Sequence, residues 1–110
     1  MTELQERWLC ALESGRYAQG AGRLKLGFTY CCLGVACQVA KLEFDGDGYH
    51  YDNSSSQGVL PHGFWQKLGL KDEKGTNPEY GTLVQMNDSG YSFKQIAAAI
   101  RQNPANFFQI

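Results

Sequence analysis

Apolar residues recur at helical spacing at the start of the chain: Leu4, Trp8, Ala11 and Leu12 share one face, and Leu9 widens it. Thr2-Glu3-Leu4-Gln5 has the form of a capping box, and Ser14-Gly15 supplies a stop, so a helix is predicted over roughly residues 3–14. The pattern changes at Tyr30-Cys31-Cys32-Leu33-Gly34-Val35-Ala36-Cys37-Gln38-Val39-Ala40. From Cys31 or Cys32 to about Leu42 the apolar positions lie on every face, which predicts a helix enclosed by protein. Val35, Cys37 and Val39 also alternate, so a buried strand competes; the length of the run and its alanines favour the helix. Gly34 costs such a helix about 1 kcal/mol relative to alanine. Its return is close approach of another backbone at that point.

The rest of the chain is shorter in period and richer in turns. Gly15 to Gly27 hold four glycines with Arg16, Arg23 and Lys25, and read as an exposed loop in which Arg23–Thr29 is a candidate extended segment. Asp45-Gly46-Asp47-Gly48 is a turn by composition, Asn53 to Gln57 is polar loop, and Tyr49–Tyr51 with Gly58–Leu60 forms a candidate β-hairpin. Pro61 suits the first turn of a helix whose apolar face is Phe64, Trp65 and Leu68, closed by Gly69-Leu70. Lys71 to Asn77 reads as a polar linker. Thr82-Leu83-Val84-Gln85 is able to cap a short helix, and Asn87-Asp88-Ser89-Gly90 is a strong turn signal. Ser92-Phe93-Lys94-Gln95 is a further capping box, opening a helix with Phe93, Ile96, Ala97 and Ile100 on one face and Asn103-Pro104 at its end. The tail carries Phe107, Phe108 and Ile110, too apolar to stand in water, and is expected to dock on the core or on a partner.

The expected fold is therefore α+β and mainly helical: about four short helices around a buried central helix, Cys32–Lys41, with a small β-hairpin near residues 47–60. The expected core holds Leu4, Trp8, Leu12, Leu33, Ala36, Cys37, Val39, Phe64, Trp65, Leu68, Leu83, Phe93, Ile96 and Ile100. Short helices of this kind depend on tertiary packing. A chain of 110 residues reads as one domain, able to bury a core without metal or disulfide support.

Charge adds little at the level of the whole chain, whose formal balance is −1. Up to Lys41, however, five cations (Arg7, Arg16, Arg23, Lys25, Lys41) face only Glu3, Glu6 and Glu13, whereas the middle of the chain is acidic. No run of like charge exists, which disfavours a dedicated nucleic-acid module but leaves room for a local basic pocket. No apolar run of membrane-spanning length and no secretory leader are evident, so reduced thiols in a cytoplasm are expected.

Several groups of residues are candidates for chemistry. Cys31 or Cys32 ahead of Leu33-Gly34 stands where a helix N-terminus lowers a thiol pKa, with His50 or His62 as the base, an arrangement like that of papain-like hydrolases. No Gln or Asn stands at a readable oxyanion spacing, and small buried thiols in a packed helix are the favoured reading. Zinc is disfavoured because Cys32 and Cys37 lie five apart, which on a helix turns them well away from a shared metal. Asp45, Asp47 and Asp52 fail the calcium-loop pattern at the sixth and twelfth positions. No metal or cofactor is expected. Gly20-Ala21-Gly22-Arg23, beside Arg16 and Lys25, is a weak candidate nest for a phosphate. The first candidates for binding an anionic ligand are Arg16, Arg23 and Lys25 with the aromatics Tyr17 and Tyr49, taken as exposed.

Trp8, Ala11-Leu12-Glu13-Ser14-Gly15-Arg16-Tyr17, Gln19-Gly20, Leu24, Cys31-Cys32-Leu33-Gly34-Val35 and Cys37 resemble the opening of a group of small uncharacterised proteins of bacteriophages and prophages. Leu60-Pro61, Trp65, Gly69-Leu70, Asn87-Asp88-Ser89-Gly90, Ser92-Phe93 and Ile96-Ala97 resemble the remainder. The resemblance implies a small intracellular accessory protein of a phage or an integrated element; with the missing catalytic constellation and the apolar tail, it favours a protein that acts by binding a host or defence protein or a small anionic ligand. A cysteine-dependent hydrolase or transferase and a structural or regulatory subunit, self-associating through Phe107, Phe108 and Ile110, are the alternatives.

Overall fold

The Thr2–Gln5 box forms as expected: Thr2 Oγ1 accepts from Gln5 N and Gln5 Oε1 accepts from Thr2 N, opening α1 (Glu3–Glu13) in the computed structural model, which describes residues 1–109. Gln5 is buried, and its Nε2 also donates to Leu68 O at 2.9 Å, joining the start of α1 to the end of α3 (Phe64–Leu68). The loop after α1 is more ordered than its composition suggests. It contributes β1 (Ala18–Gln19), β2 (Lys25–Leu26) and β3 (Thr29–Tyr30), in the order β1-β3-β2, and Leu24 within it is fully buried.

Helix α2 (Cys32–Val39) lies at the centre of the fold, with Cys32 through Cys37 all buried. Its terminus falls short of the expected Lys41 because Lys41 itself turns left-handed, at φ 60°. Trp8 Nε1 donates to Cys32 O at 2.8 Å, so the largest side chain of α1 is tied to the first turn of α2. At Gly34 the expected close approach is present. A Cβ built there lies 1.7 Å from the carbonyl oxygen of Leu24.

The expected hairpin is instead a three-stranded antiparallel meander, β4 (Glu43–Asp45), β5 (Gly48–Tyr51) and β6 (Ser54–Ser56). Gly58–Leu60 is not a strand. Leu60 N–H is taken by Glu73 O, so that segment is held by the region read as a linker. After α3, β7 (Thr76–Asn77) and β8 (Gly81–Thr82) make a small hairpin that leads into α4 (Leu83–Asp88), capped by Thr82 and Gln85 as their spacing suggested. Helix α5 (Phe93–Gln102) follows the Ser92–Gln95 box.

The tail folds back as α6 (Pro104–Phe107), with Pro104 in the first turn. Phe107 and Phe108 are both buried, Phe108 forms a bridge to Leu70, and Gln109 N donates to Gly69 O. These two phenylalanines are thus spent inside the chain and offer no surface for self-association; Ile110 lies outside the described residues. The α+β class holds, but "mainly helical" does not: helix takes 40% of the chain and strand 20%. Of the expected core, Leu4, Val39 and Trp65 are only partly buried, while Leu9, Leu24, Tyr49, Leu60, Leu70 and Met86 belong to it. No helix among the described residues is long and apolar enough to cross a membrane.

Candidate functional site

The cysteine segment is structural in its geometry. Cys31 precedes α2 as its N-cap, its Sγ accepting from Gly34 N at 3.4 Å, and the Cys32 thiol donates to Leu83 O at 3.6 Å. Burial pushes the thiols of Cys31, Cys32 and Cys37 up, the last two well above the ordinary range, which opposes thiolate formation despite the adjacent helix terminus. Neither histidine bonds to any of these sulfurs. His62 is exposed, and His50, on the central strand of the meander, meets Asp45 Oδ1 through its Nε2 at 2.7 Å. Cys10 alone among the four cysteines is exposed. With a maleimide at neutral pH, Cys10 is expected to react in the folded protein and the other three only on unfolding. Rapid native-state modification of Cys31 or Cys32, located by mass spectrometry, would restore the nucleophile reading.

Asp45, Asp47 and His50 bring ligand-type atoms within 4.8 Å of one another, all on the surface. The Asp45–His50 hydrogen bond accounts for the cluster. It raises the His50 pKa and lowers that of Asp45. Because the folded-state value of His50 is the higher one, the small stabilisation from this exposed pair is present below the unfolded pKa of about 6.5 and lost as pH rises through the folded value. In an NMR titration the His50 ring protons are expected to shift with a midpoint above 6.5, returning toward that value in Asp45→Asn. An unchanged midpoint in the variant would dismiss the pair.

The N–H groups of Gly20 and Gly22 are taken up within the chain. Gly22 N donates to Asp88 Oδ1 at 3.3 Å, and Gly20 N donates to Tyr30 O. Beside them, buried Asn87 links three segments of backbone. Its Oδ1 accepts from Cys32 N (3.1 Å) and Gln19 Nε2 (2.9 Å), and its Nδ2 donates to Gly20 O (2.7 Å) and Asp88 Oδ1 (3.1 Å). Gln19 completes the hub, donating to Tyr91 O and accepting from Phe93 N. The Gln19-Gly20 and Asn87-Asp88-Ser89-Gly90 motifs thus converge on a joint between the first sheet, α2 and α5.

The cation candidates divide. Arg23 Nη1 donates to Gln57 Oε1, and Lys25 Nζ sits 4.8 Å from the Phe44 ring centroid and 5.6 Å from that of Tyr30. The space beside them is about 30 Å³, room for about one water. Tyr49, expected to be exposed, is fully buried, and burial pushes its hydroxyl pKa up. Arg16 and Tyr17, by contrast, line a cleft of about 530 Å³ between α1 and the end of α2, within the size range of small-molecule sites.

That cleft is lined by residues from three parts of the chain. Helix α1 contributes Glu6, Arg7, Cys10, Ala11 and its C-cap Ser14; the end of α2 contributes Gln38, Val39 and, just beyond it, Lys41. Lys41 occupies the position after a helix C-cap where glycine is usual. Leu42 N bonds Cys37 O and Lys41 N bonds Gln38 O, the two bonds of a Schellman closure. Buried Tyr49 acts from below: its hydroxyl donates to Gln38 Oε1 at 2.8 Å, which turns the Gln38 amide nitrogen away as a donor.

The cleft is rich in donors and poor in acceptors. Glu6 is engaged by Arg101 Nη1 at 2.7 Å, while Ser14 Oγ donates to Ala11 O and accepts from Arg16 N. Arg7 Nη2 spends one contact, at 3.3 Å, on Val39 O. Two helix C-termini point toward the same space and contribute roughly half a negative charge each. Arg7, Arg16 and Lys41 face these termini and the Glu6 carboxylate, whose partner Arg101 also serves Glu13, so the cations hold a narrow majority among the lining charges. Arg7, Gln38 and Lys41 were missed as site residues because only the α1–α2 packing brings them beside Arg16. One signal was legible: a helix ending without glycine or asparagine, with lysine in its place.

The arrangement is that of a small α+β domain with a surface cleft lined by Arg7, Arg16 and Lys41 and with three of its four thiols buried. By sequence the chain belongs to the family described as Domain of unknown function (DUF8296), whose model matches residues 1–104. No curated protein and no solved structure matches it.

Proposed function

We propose that this protein works by binding rather than catalysis, and that its ligand is a small, acceptor-rich anion held in the α1–α2 cleft. The observation that carries the reading is the convergence of Arg7, Arg16, Lys41 and the Gln38 amide on one cleft whose single carboxylate, Glu6, is paired with Arg101. The burial of the thiols and the lack of a histidine partner support binding over a cysteine-dependent reaction. The accessory role in a phage or prophage, within a host cytoplasm, belongs to the same proposal and rests on the sequence resemblance.

Lys41 supplies a test in which stability and binding move in opposite directions. A left-handed lysine is less favourable than glycine by roughly 1 kcal/mol. Lys41→Gly is therefore expected to raise the urea midpoint slightly while weakening binding several-fold. The probes are inorganic pyrophosphate, citrate and a nucleoside diphosphate, titrated at low ionic strength with calorimetry and backbone NMR. Shifts confined to residues 6–17 and 38–41 are expected, reduced in Lys41→Gly and Arg16→Ala and screened by added salt. If none of the three probes moves those resonances, the anion-binding reading is lost.

A further inference from the structure

We infer that the ligand of the α1–α2 cleft is a phosphate ester that also bears a flat aromatic ring, a nucleotide, rather than a bare inorganic anion; this rests on the anion-binding reading above. The cleft has two characters. Arg7, Arg16 and Lys41 supply charge, while Ala11, Val39 and Tyr17 supply apolar surface. At about 530 Å³ it is much larger than phosphate or pyrophosphate requires, and either ion alone would leave the apolar part wet.

Tyr17 is the part that selects a ring. Its side chain is half-buried and packs on Tyr30 with ring centroids 5.3 Å apart and planes at 88°. That edge-to-face contact holds the ring in one orientation before any ligand arrives, so little side-chain entropy is lost on stacking. Gln38 adds a donor of fixed sense, because Tyr49 occupies its oxygen. Such a donor suits a ring carbonyl or ring nitrogen as well as an anionic oxygen. The phosphates then fall to Arg7, Arg16 and Lys41, of which arginine offers paired donors to phosphate oxygens.

The test compares GDP, UDP and inorganic pyrophosphate on the full chain at low ionic strength. Occupancy is read both by calorimetry and by protection of Cys10, the exposed thiol in the cleft, from maleimide. At least one nucleotide is expected to bind about tenfold or more tighter than pyrophosphate, the effect of one base–aromatic stack. Tyr17→Leu should remove that advantage and leave pyrophosphate affinity within about twofold, while Tyr17→Phe should keep it. Equal affinity for nucleotides and pyrophosphate would overturn the ring inference and leave the anion reading standing. So would a nucleotide advantage that survives Tyr17→Leu. If all three probes fail to bind or to protect Cys10, the inference falls together with the reading beneath it. The wild-type ratio and the Cys10 protection need no variant, so a misfolded Tyr17→Leu does not spare the inference.

Discussion

Replacing Gly34 with alanine is expected to cost about 4 kcal/mol or more, a large share of the roughly 5–15 kcal/mol that holds a domain of this kind together. In an ordinary helix the same change is favourable by about 1 kcal/mol. Here the added methyl carbon would lie 1.7 Å from Leu24 O and 2.5 Å from its carbonyl carbon, both backbone atoms. No rotamer change relieves such a clash. Either α2 lifts from the Leu24 segment or that segment moves outward, and both open a fully buried part of the core. The movement also strains the bond from Cys31 N to Leu24 O. Gly46→Ala is the control: its Cβ meets nothing within 4 Å, and a change within about 0.5 kcal/mol is expected. Urea denaturation of both variants decides the matter, and a Gly34→Ala midpoint close to wild type would refute the close-packing account.

Asn87→Ala is expected to be the second most damaging single change, at about 3–5 kcal/mol. The substitution removes four hydrogen bonds at once. More telling is what stays behind. Cys32 N–H and Gly20 C=O lose their side-chain partner, and a buried orphan of this kind costs about 1–3 kcal/mol. Asn87→Asp keeps the acceptor that serves Cys32 and Gln19 but loses the donor, and it sets a second carboxylate beside Asp88. Its deficit should shrink as pH falls, because protonation restores a donor at position 87 and relieves the repulsion with Asp88. Thermal unfolding at neutral and acidic pH gives the readout. A mild, pH-independent loss in both variants would show that water replaces the side chain at little cost.

These two residues were visible in the sequence to different degrees. Gly34 stood out because a glycine inside an apolar helical run has to be compensated, and the compensation is the Leu24 carbonyl. Asn87 was read as part of a helix-linking turn, since Asn-Asp-Ser-Gly is what such turns are made of. Nothing local distinguishes an asparagine that bonds its own turn from one that reaches Cys32, Gln19 and Gly20. The same limit applied to Tyr49, whose alternation with His50 and Tyr51 marks a strand without saying which face meets the core. It also applied to the Gly20–Gly22 nest, whose N–H groups are taken up within the chain.

Helix starts, the central apolar helix and the glycine that permits its burial were decided locally, because capping, hydrophobic period and Cβ sterics act over a few neighbouring residues. The site was not. Arg7, Arg16, Gln38 and Lys41 share a cleft only because α1 packs on α2 and Tyr49 reaches up from the meander. A charge pattern along the chain registers how many cations there are, whereas the field in a cleft depends on which of them the packed helices bring face to face.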